Sequence, residues 1–175
     1  TIPDSVTSLG ERAFNQCSSL TSITNPDSVT SLGDAVFSDC TSLTGITIGN
    51  GVTSIGRGAF SICSSLRSIT IPDSVTSIGD YAFAFCSSLT SITFLGAGPA
   101  VGVSAFSGVA DGARALVTIE ALSSFGDVGD DWNGLTLDCV DVALCVLTWT
   151  TTDGEVTITD CDQAASGELV IPDTI

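Results

Sequence analysis

Apolar side chains recur along the first half of the chain in a fixed but uneven order. Across residues 70–92 they stand at Ile71, Val75, Ile78, Ala82, Phe83, Cys86, Leu89 and Ile92, with small and polar residues between them. That spacing fits neither the stripe of a long amphipathic helix nor one alternating strand. It predicts a coil that turns several times and points one side chain inward from each short segment. Ser68-Ile69-Thr70-Ile71 and Ser91-Ile92-Thr93-Phe94 alternate polar with apolar and are rich in β-branched residues, so each reads as a short strand. Val75-Thr76-Ser77-Ile78 reads as a second extended piece. Pro72-Asp73 and Ile78-Gly79-Asp80 supply the turns, and residues 80–85 read as one helical turn capped by Asp80.

The unit is repeated. Residues 1–23, 24–46, 47–69 and 70–92 are four copies with a period of 23 residues, and a degraded fifth from Thr93 keeps Phe94, Gly102, Ala105 and Phe106 in register. A period of this size marks a solenoid. One coil alone buries too little apolar surface to offset the cost of ordering its own backbone. Neighbours must therefore stack, bury each other's faces and pair their strands into a parallel sheet. The expected fold is a mostly β repeat solenoid with short helical turns. Cys17, Cys40, Cys63 and Cys86 follow the same period, which predicts a stacked column of buried thiols acting as small hydrophobes. Stacked strands hold equivalent atoms about 4.8 Å apart with parallel side-chain vectors, which suits a thiol ladder better than disulfides. The chain has no CxxC pair and no histidine to complete a zinc site.

The pattern F-x-x-C-x-S-L-x-x-I-T-I-P-x-x-V-T-S-I-G resembles the BspA-like, or Treponema pallidum-type, bacterial leucine-rich repeats. It is carried here by Phe60, Cys63, Ser65, Leu66, Ile69, Thr70, Ile71, Pro72, Val75, Thr76, Ser77, Ile78 and Gly79. The resemblance spans residues 1–93 and resumes at Val170-Ile171-Pro172-Asp173-Thr174-Ile175. It implies a right-handed, curved leucine-rich-repeat solenoid with its parallel sheet on the concave side. It also implies a secreted or surface-anchored protein that works by adhesion. Two departures stand out. Asn25 occupies the position held by Ile48 and Ile71, which places a polar side chain toward the core or shifts the strand. Gly49-Asn50-Gly51 replaces Pro-Asp-Ser, which predicts a looser turn in that coil.

Three regions are expected: four repeats over residues 1–93, a degenerate fifth repeat and capping region over 94–137, and a β-hairpin followed by the start of a second array over 138–175. Gly96-Ala97-Gly98-Pro99 inserts a turn, and 113–119 reads as a strand. Residues 120–125 read as a helical turn, and Trp132-Asn133-Gly134-Leu135-Thr136-Leu137 as turn plus strand. The Trp132-Asn133-Gly134-Leu135 stretch also resembles the ends of such arrays. A solenoid end needs a cover against edge-to-edge pairing, and Phe125 and Trp132 are its expected plugs. Beyond it, 143–151 and 155–160 read as a hairpin around Thr152-Asp153-Gly154-Glu155. Cys139, Cys145 and Cys161 lie off the period; one disulfide among them suits an oxidising compartment, and the pairing does not follow from sequence. Thr1 lies inside a repeat and Ile175 just inside another, so the chain reads as a fragment, and any targeting segment would lie outside it.

Charge narrows the partners. Against 20 acidic residues stand only Arg12, Arg57, Arg67 and Arg114, a net charge of −16. That repels nucleic-acid phosphates and anionic bilayers alike. The outward positions of the expected concave strands are Ser22 and Thr24, Gly45 and Thr47, Ser68 and Thr70, Ser91 and Thr93, with Arg67 beside them where other copies have Thr. Of these, Ser22, Thr24, Thr47, Arg67, Ser68, Thr70, Ser91 and Thr93 are the candidate partner-binding residues. Such rows read either as a solvated sheet face of good strand formers or as a hydroxyl-lined docking surface for an extracellular protein or glycan. The mixed Ser, Gly and Arg positions and the curvature argue against a lattice-matching ice face.

Other chemistry finds little support. Asp127, Asp130, Asp131 and Asn133 gather oxygens, but an EF-hand alignment from Asp127 puts Trp132 where glycine is required. The stretch reads as an acidic loop, with an irregular calcium site as the alternative. Lysine and histidine are absent, no G-x-S-x-G elbow occurs, and no glycine-rich phosphate loop is present. No catalytic residue and no cofactor is expected. The expected function is that of a non-enzymatic interaction and adhesion module, extracellular or at the cell surface. A structural spacer or an ancillary domain of a larger extracellular hydrolase is the runner-up.

Overall fold

A computed structural model describes residues 2–140 and, as backbone, 148–152 and 155–160. The chain winds as a β-solenoid of about five coils with very little helix. In chain order the strands of the repeats are β1 (Ser22–Thr24), β2 (Ser31–Leu32), β3 (Gly45–Thr47), β4 (Ser54–Ile55), β5 (Ser68–Ile71), β6 (Ser77–Ile78), β7 (Ser91–Phe94) and β8 (Ala100–Val101). They are followed by β9 (Arg114–Val117), α1 (Ile119–Leu122), β10 (Asp131–Trp132) and β11 (Leu135–Cys139).

Three walls surround the core. The longer strands form one wall: β1 pairs parallel with β3, and β5, β7, β9 and β11 pair parallel in series. Alternation sets their facing, because in β5 Ile69 and Ile71 point in while Ser68 and Thr70 point out. The short strands β2, β4, β6 and β8 form a second parallel wall. Along this wall glycine is a close-approach requirement, since a Cβ on Gly79 would lie 2.7 Å from the Arg57 backbone nitrogen.

The third wall corrects the expected helical turn at 80–85. Tyr81 and Phe85 hold φ of 57° and 60°, in the left-handed region where a helix cannot continue. The N–H groups of Tyr81, Phe83 and Phe85 donate to the carbonyls of Val103, Ala105 and Ser107 in the next coil, at 3.0, 2.8 and 2.7 Å. Those of Ala82, Ala84 and Cys86 donate three residues back within their own coil, at 3.3, 3.0 and 3.2 Å. A helix would spend every N–H locally; this turn wall shares half of them with its neighbour. Asp80 serves the same end, because its Oδ1 accepts the Val103 N–H at 2.8 Å rather than capping a helix.

The core is a phenylalanine stack. Phe14, Phe37, Phe60, Phe83 and Phe106 follow one another with centroids 5.3, 5.4, 5.1 and 5.6 Å apart and rings within 13° of parallel. Beside it runs the cysteine column. Cys40, Cys63 and Cys86 are buried, but Cys17 is exposed, which corrects its place in the expected ladder. Each buried thiol leans on the coil before it, and Cys17 belongs to the first coil of the described stack. The three are more than small hydrophobes, since their Sγ atoms donate to the carbonyls of Phe14, Phe37 and Phe60 at 3.1, 3.2 and 3.1 Å.

Both departures from the repeat leave marks. Asn25 is buried in the isoleucine column, and neither its Oδ1 nor its Nδ2 has a hydrogen-bond partner. The Gly49-Asn50-Gly51 turn is tight rather than loose. A Cβ on Gly49 would sit 2.4 Å from the Pro26 carbonyl oxygen, and one on Gly51 2.0 Å from that of Asp27. The coil comes close here because the Asn50 N–H donates to Asp27 Oδ1 at 2.6 Å.

At the far end Phe125 and Trp132 close over the core. Trp132 meets Phe94 edge-on at 5.1 Å, Phe125 at 4.8 Å and Phe106 at 6.0 Å. β10 and β11 are antiparallel, joined through Asn133 and Gly134, both at positive φ. Farther on, β12 (Thr148–Thr152) and β13 (Glu155–Asp160) form the expected antiparallel hairpin. Cys139 is disulfide-bonded, while Cys145, Cys161 and the second array expected near 169–175 lie outside the described residues.

Candidate interaction surface

The outward side chains of the long-strand wall fall into rows because the strands are in register. Ser22 lies beside Gly45 and Thr24 beside Thr47, while Ser68 lies beside Ser91 and Thr70 beside Thr93. The candidate residues thus form two blocks, since β3 and β5 are not hydrogen-bonded to each other. Arg67 is exposed and immediately precedes β5. Its carbonyl accepts both the N–H and the hydroxyl of Thr90, at 2.9 and 3.2 Å. Its backbone is pinned while its guanidinium makes no ion pair among the described residues.

Not every threonine column is available. Thr44 and Thr90 donate their hydroxyls to the preceding coil, and so do Thr30, Thr53 and Thr76 on the short-strand side. Those hydroxyls belong to the fold. The hydroxyls of Thr24, Thr47, Thr70 and Thr93 make no hydrogen bond among the described residues. Each keeps one donor and two acceptor positions for a partner. Where Thr24 and Thr47 meet the adjoining loops, a depression of about 540 Å³ opens, lined also by Asp4, Asp27 and Asn50.

Three residues of this surface are not among the sequence candidates. Arg114 lies beside Ser91, Thr136 beside Arg114, and Asp138 beside Leu116. Arg114 and Asp138 form an ion pair across the strands. The repeat carries the signal for Arg114, which stands one 23-residue period after Ser91. The pairing shortens to 22 residues between Arg114 and Thr136, so counting alone loses the row at β11.

The acidic loop closes on itself. Asp130 Oδ2 accepts the Asp127 N–H at 3.0 Å, and Asp131 Oδ1 accepts the Gly134 N–H at 3.2 Å. Among the described residues no cluster of His, Cys, Asp and Glu is arranged to hold a metal. The buried thiols are poor nucleophiles, because burial raises Cys40, and contact with Cys86 together with burial raises Cys63 well above the ordinary thiol range.

Comparison with known proteins places this architecture. The model of the BspA type leucine rich repeat region matches residues 1–111 in six copies. The chain belongs to the BspA-type leucine-rich repeat family. A BspA-type array is a protein-interaction or surface repeat module. Among solved structures, the T. pallidum leucine-rich repeat protein is 31% identical with a TM-score of 0.57, covering 65% of this chain and 52% of its own. A leucine-rich repeat protein from Bacteroides capillosus is 34% identical with a TM-score of 0.48, covering 52% of this chain and 64% of its own. The pneumococcal vaccine antigen PcpA shares the fold at 19% identity and a TM-score of 0.57, covering 78% of this chain and 35% of its own. This BspA-type chain therefore spans about half the length of the T. pallidum protein it matches. No curated protein matches it. Among the described residues of the BspA-type array, no helix is long and apolar enough to cross a membrane.

Proposed function

We propose that this array is a non-enzymatic adhesion module of a secreted or cell-surface protein, and that it docks an extracellular protein or glycan on its long-strand wall. The observation that carries this reading is the contrast between threonine columns. Among the described residues, five threonine hydroxyls are bonded into the fold, while those of Thr24, Thr47, Thr70 and Thr93, on the two blocks of the long-strand wall, make no hydrogen bond. Ser22, Ser68 and Ser91 extend the rows, and Arg67 adds a cation. A net charge of −16 favours a neutral or basic partner and disfavours nucleic acid.

The test is a binding screen of the chain against immobilised extracellular-matrix proteins and glycans, in calcium and in chelator. The expected result is a saturable signal that weakens about tenfold or more in Arg67→Ala/Thr70→Ala. A signal that ignores this variant, or one that needs calcium and follows Asp130→Asn, would overturn the assignment to this wall.

A further inference from the structure

The turn wall has outward positions that the fold leaves open. At one column Ala35, Gly58, Tyr81 and Ser104 succeed one another, and at the next Asp39, Ile62, Phe85 and Gly108 do so. All eight hold positive φ, between 52° and 71°. Glycine is at ease there and side chains are strained, a β-branched one most of all. Yet the third and fourth coils place Ile62, Tyr81 and Phe85 at these positions, 39%, 41% and 60% exposed. They are large and apolar, on backbone that disfavours them, and turned toward water.

They also lie together. The Ile62 N–H bonds the carbonyl of Ala84, next to Phe85, and the Tyr81 N–H bonds that of Val103, itself 66% exposed. The Arg57 guanidinium lies over the Tyr81 ring at 5.8 Å. Carboxylates rim this patch: Asp34 and Asp80 stand in the adjoining column, one residue before Ala35 and Tyr81, and Asp39 precedes Ile62 in its own column, its N–H bonded to the Ser61 carbonyl at 2.8 Å. Asp34 and Asp80 each commit Oδ1 to a backbone N–H of the next coil, while their Oδ2 atoms accept no hydrogen bond among the described residues.

We infer that the turn wall of the third to fifth coils is a second docking surface, built on Ile62, Tyr81 and Phe85, for a protein segment that presents apolar side chains flanked by lysine or arginine. Apolar anchors fit the exposed rings, and the basic flanks fit the three rim carboxylates. A second copy of the chain fits badly, because each copy carries −16. This surface shares no residue with the long-strand wall and stands independently of it.

The test selects a phage-displayed library of random peptides on the intact chain and titrates the recovered peptides against two variants. Ile62→Gly/Phe85→Gly removes two of the three apolar anchors while relieving the left-handed backbone; Arg67→Ala/Thr70→Ala alters only the other wall. Recovered peptides should pair aromatic or aliphatic residues with lysine or arginine. They should lose about tenfold or more in affinity on the double-glycine variant, keep it on the other, and weaken as salt rises. The double-glycine variant should melt close to the parent. Recovery of no peptide, peptides without basic residues, or affinity kept on the double-glycine variant would each overturn the inference. So would a double-glycine variant that melts far below the parent, because the side chains would then be serving the fold.

Discussion

The thiol of Cys86 donates a hydrogen bond to the backbone carbonyl of Phe60, 3.1 Å away and 26 residues earlier. Cys63 and Cys40 repeat this contact with Phe37 and Phe14. The thiol column thus stitches each coil to the one before it, adding a second donor to phenylalanine carbonyls that already accept the Cys17, Cys40 and Cys63 N–H groups of their own coils.

Reactivity should divide these cysteines sharply. Cys17 is exposed and the other three are buried, so among these four iodoacetamide at neutral pH should label only Cys17 until the chain unfolds. Peptide mass spectrometry reads the sites directly. Rapid labelling of Cys63 in the folded chain would mean the column is open to solvent.

Alkaline stability should follow the same thiols. Burial raises Cys40 above its ordinary value of 9.0, and Cys63 rises further through its contact with Cys86 and its burial. A thiol raised on folding holds its proton more tightly in the native chain. Its contribution is complete below the unfolded value and declines as pH climbs from there toward the folded one. The urea midpoint should therefore stay level from neutral pH to about 9 and fall beyond it. The fall should be shallower in Cys63→Ala, and equal slopes would detach the decline from that thiol.

Removing one ring from the stack should be felt beyond its own coil. Phe60 is fully buried between Phe37 and Phe83, so Phe60→Ala should cost about 3–5 kcal/mol. Hydrogen exchange should show protection lost in the coils on both sides as well. Loss confined to residues 47–69 would mean the coils fold independently.

Asn25→Ile should stabilise the chain. The buried amide has no partner, and such a group costs about 1–3 kcal/mol when left unsatisfied. Isoleucine is what the same column carries at Ile48 and Ile71. Urea titration should return a gain of about 1–3 kcal/mol. A loss instead would imply that the amide is partnered in solution.

What could be read from the sequence is whatever the repeat states several times over. The inward Phe and Cys columns and the outward Ser and Thr rows each recur at 23 residues, and a stacked coil admits one arrangement of them. The turn wall was less legible for a physical reason. Asp80-Tyr81-Ala82-Phe83-Ala84-Phe85 carries a good helix cap and helix-compatible spacing, and only the carbonyls of the next coil decide otherwise. Gly49 and Gly51 mislead similarly: glycine reads as freedom along one chain, whereas here it is demanded by a neighbouring coil's oxygens. Cys17 could not be separated from its sisters, because periodicity is blind to which coil has a neighbour. Within the candidate surface, the Ser and Thr rows were legible, and Arg114 lay within reach at one period after Ser91, but Thr136 and Asp138 did not, because the helical turn between β9 and β11 interrupts the count.

The shared hydrogen bonding of the turn wall also has a mechanical side. Half of each coil's turn N–H groups close on its own carbonyls and half on the next coil's. A pull along the solenoid axis would load only the second kind, together with the strand ladders, and would detach a whole coil at once. The extensible element is therefore the coil of 23 residues, and each detachment would release about 75–80 Å of extended chain. A molecule built this way would lengthen under tension in equal steps, holding whatever it grips while paying out its own backbone.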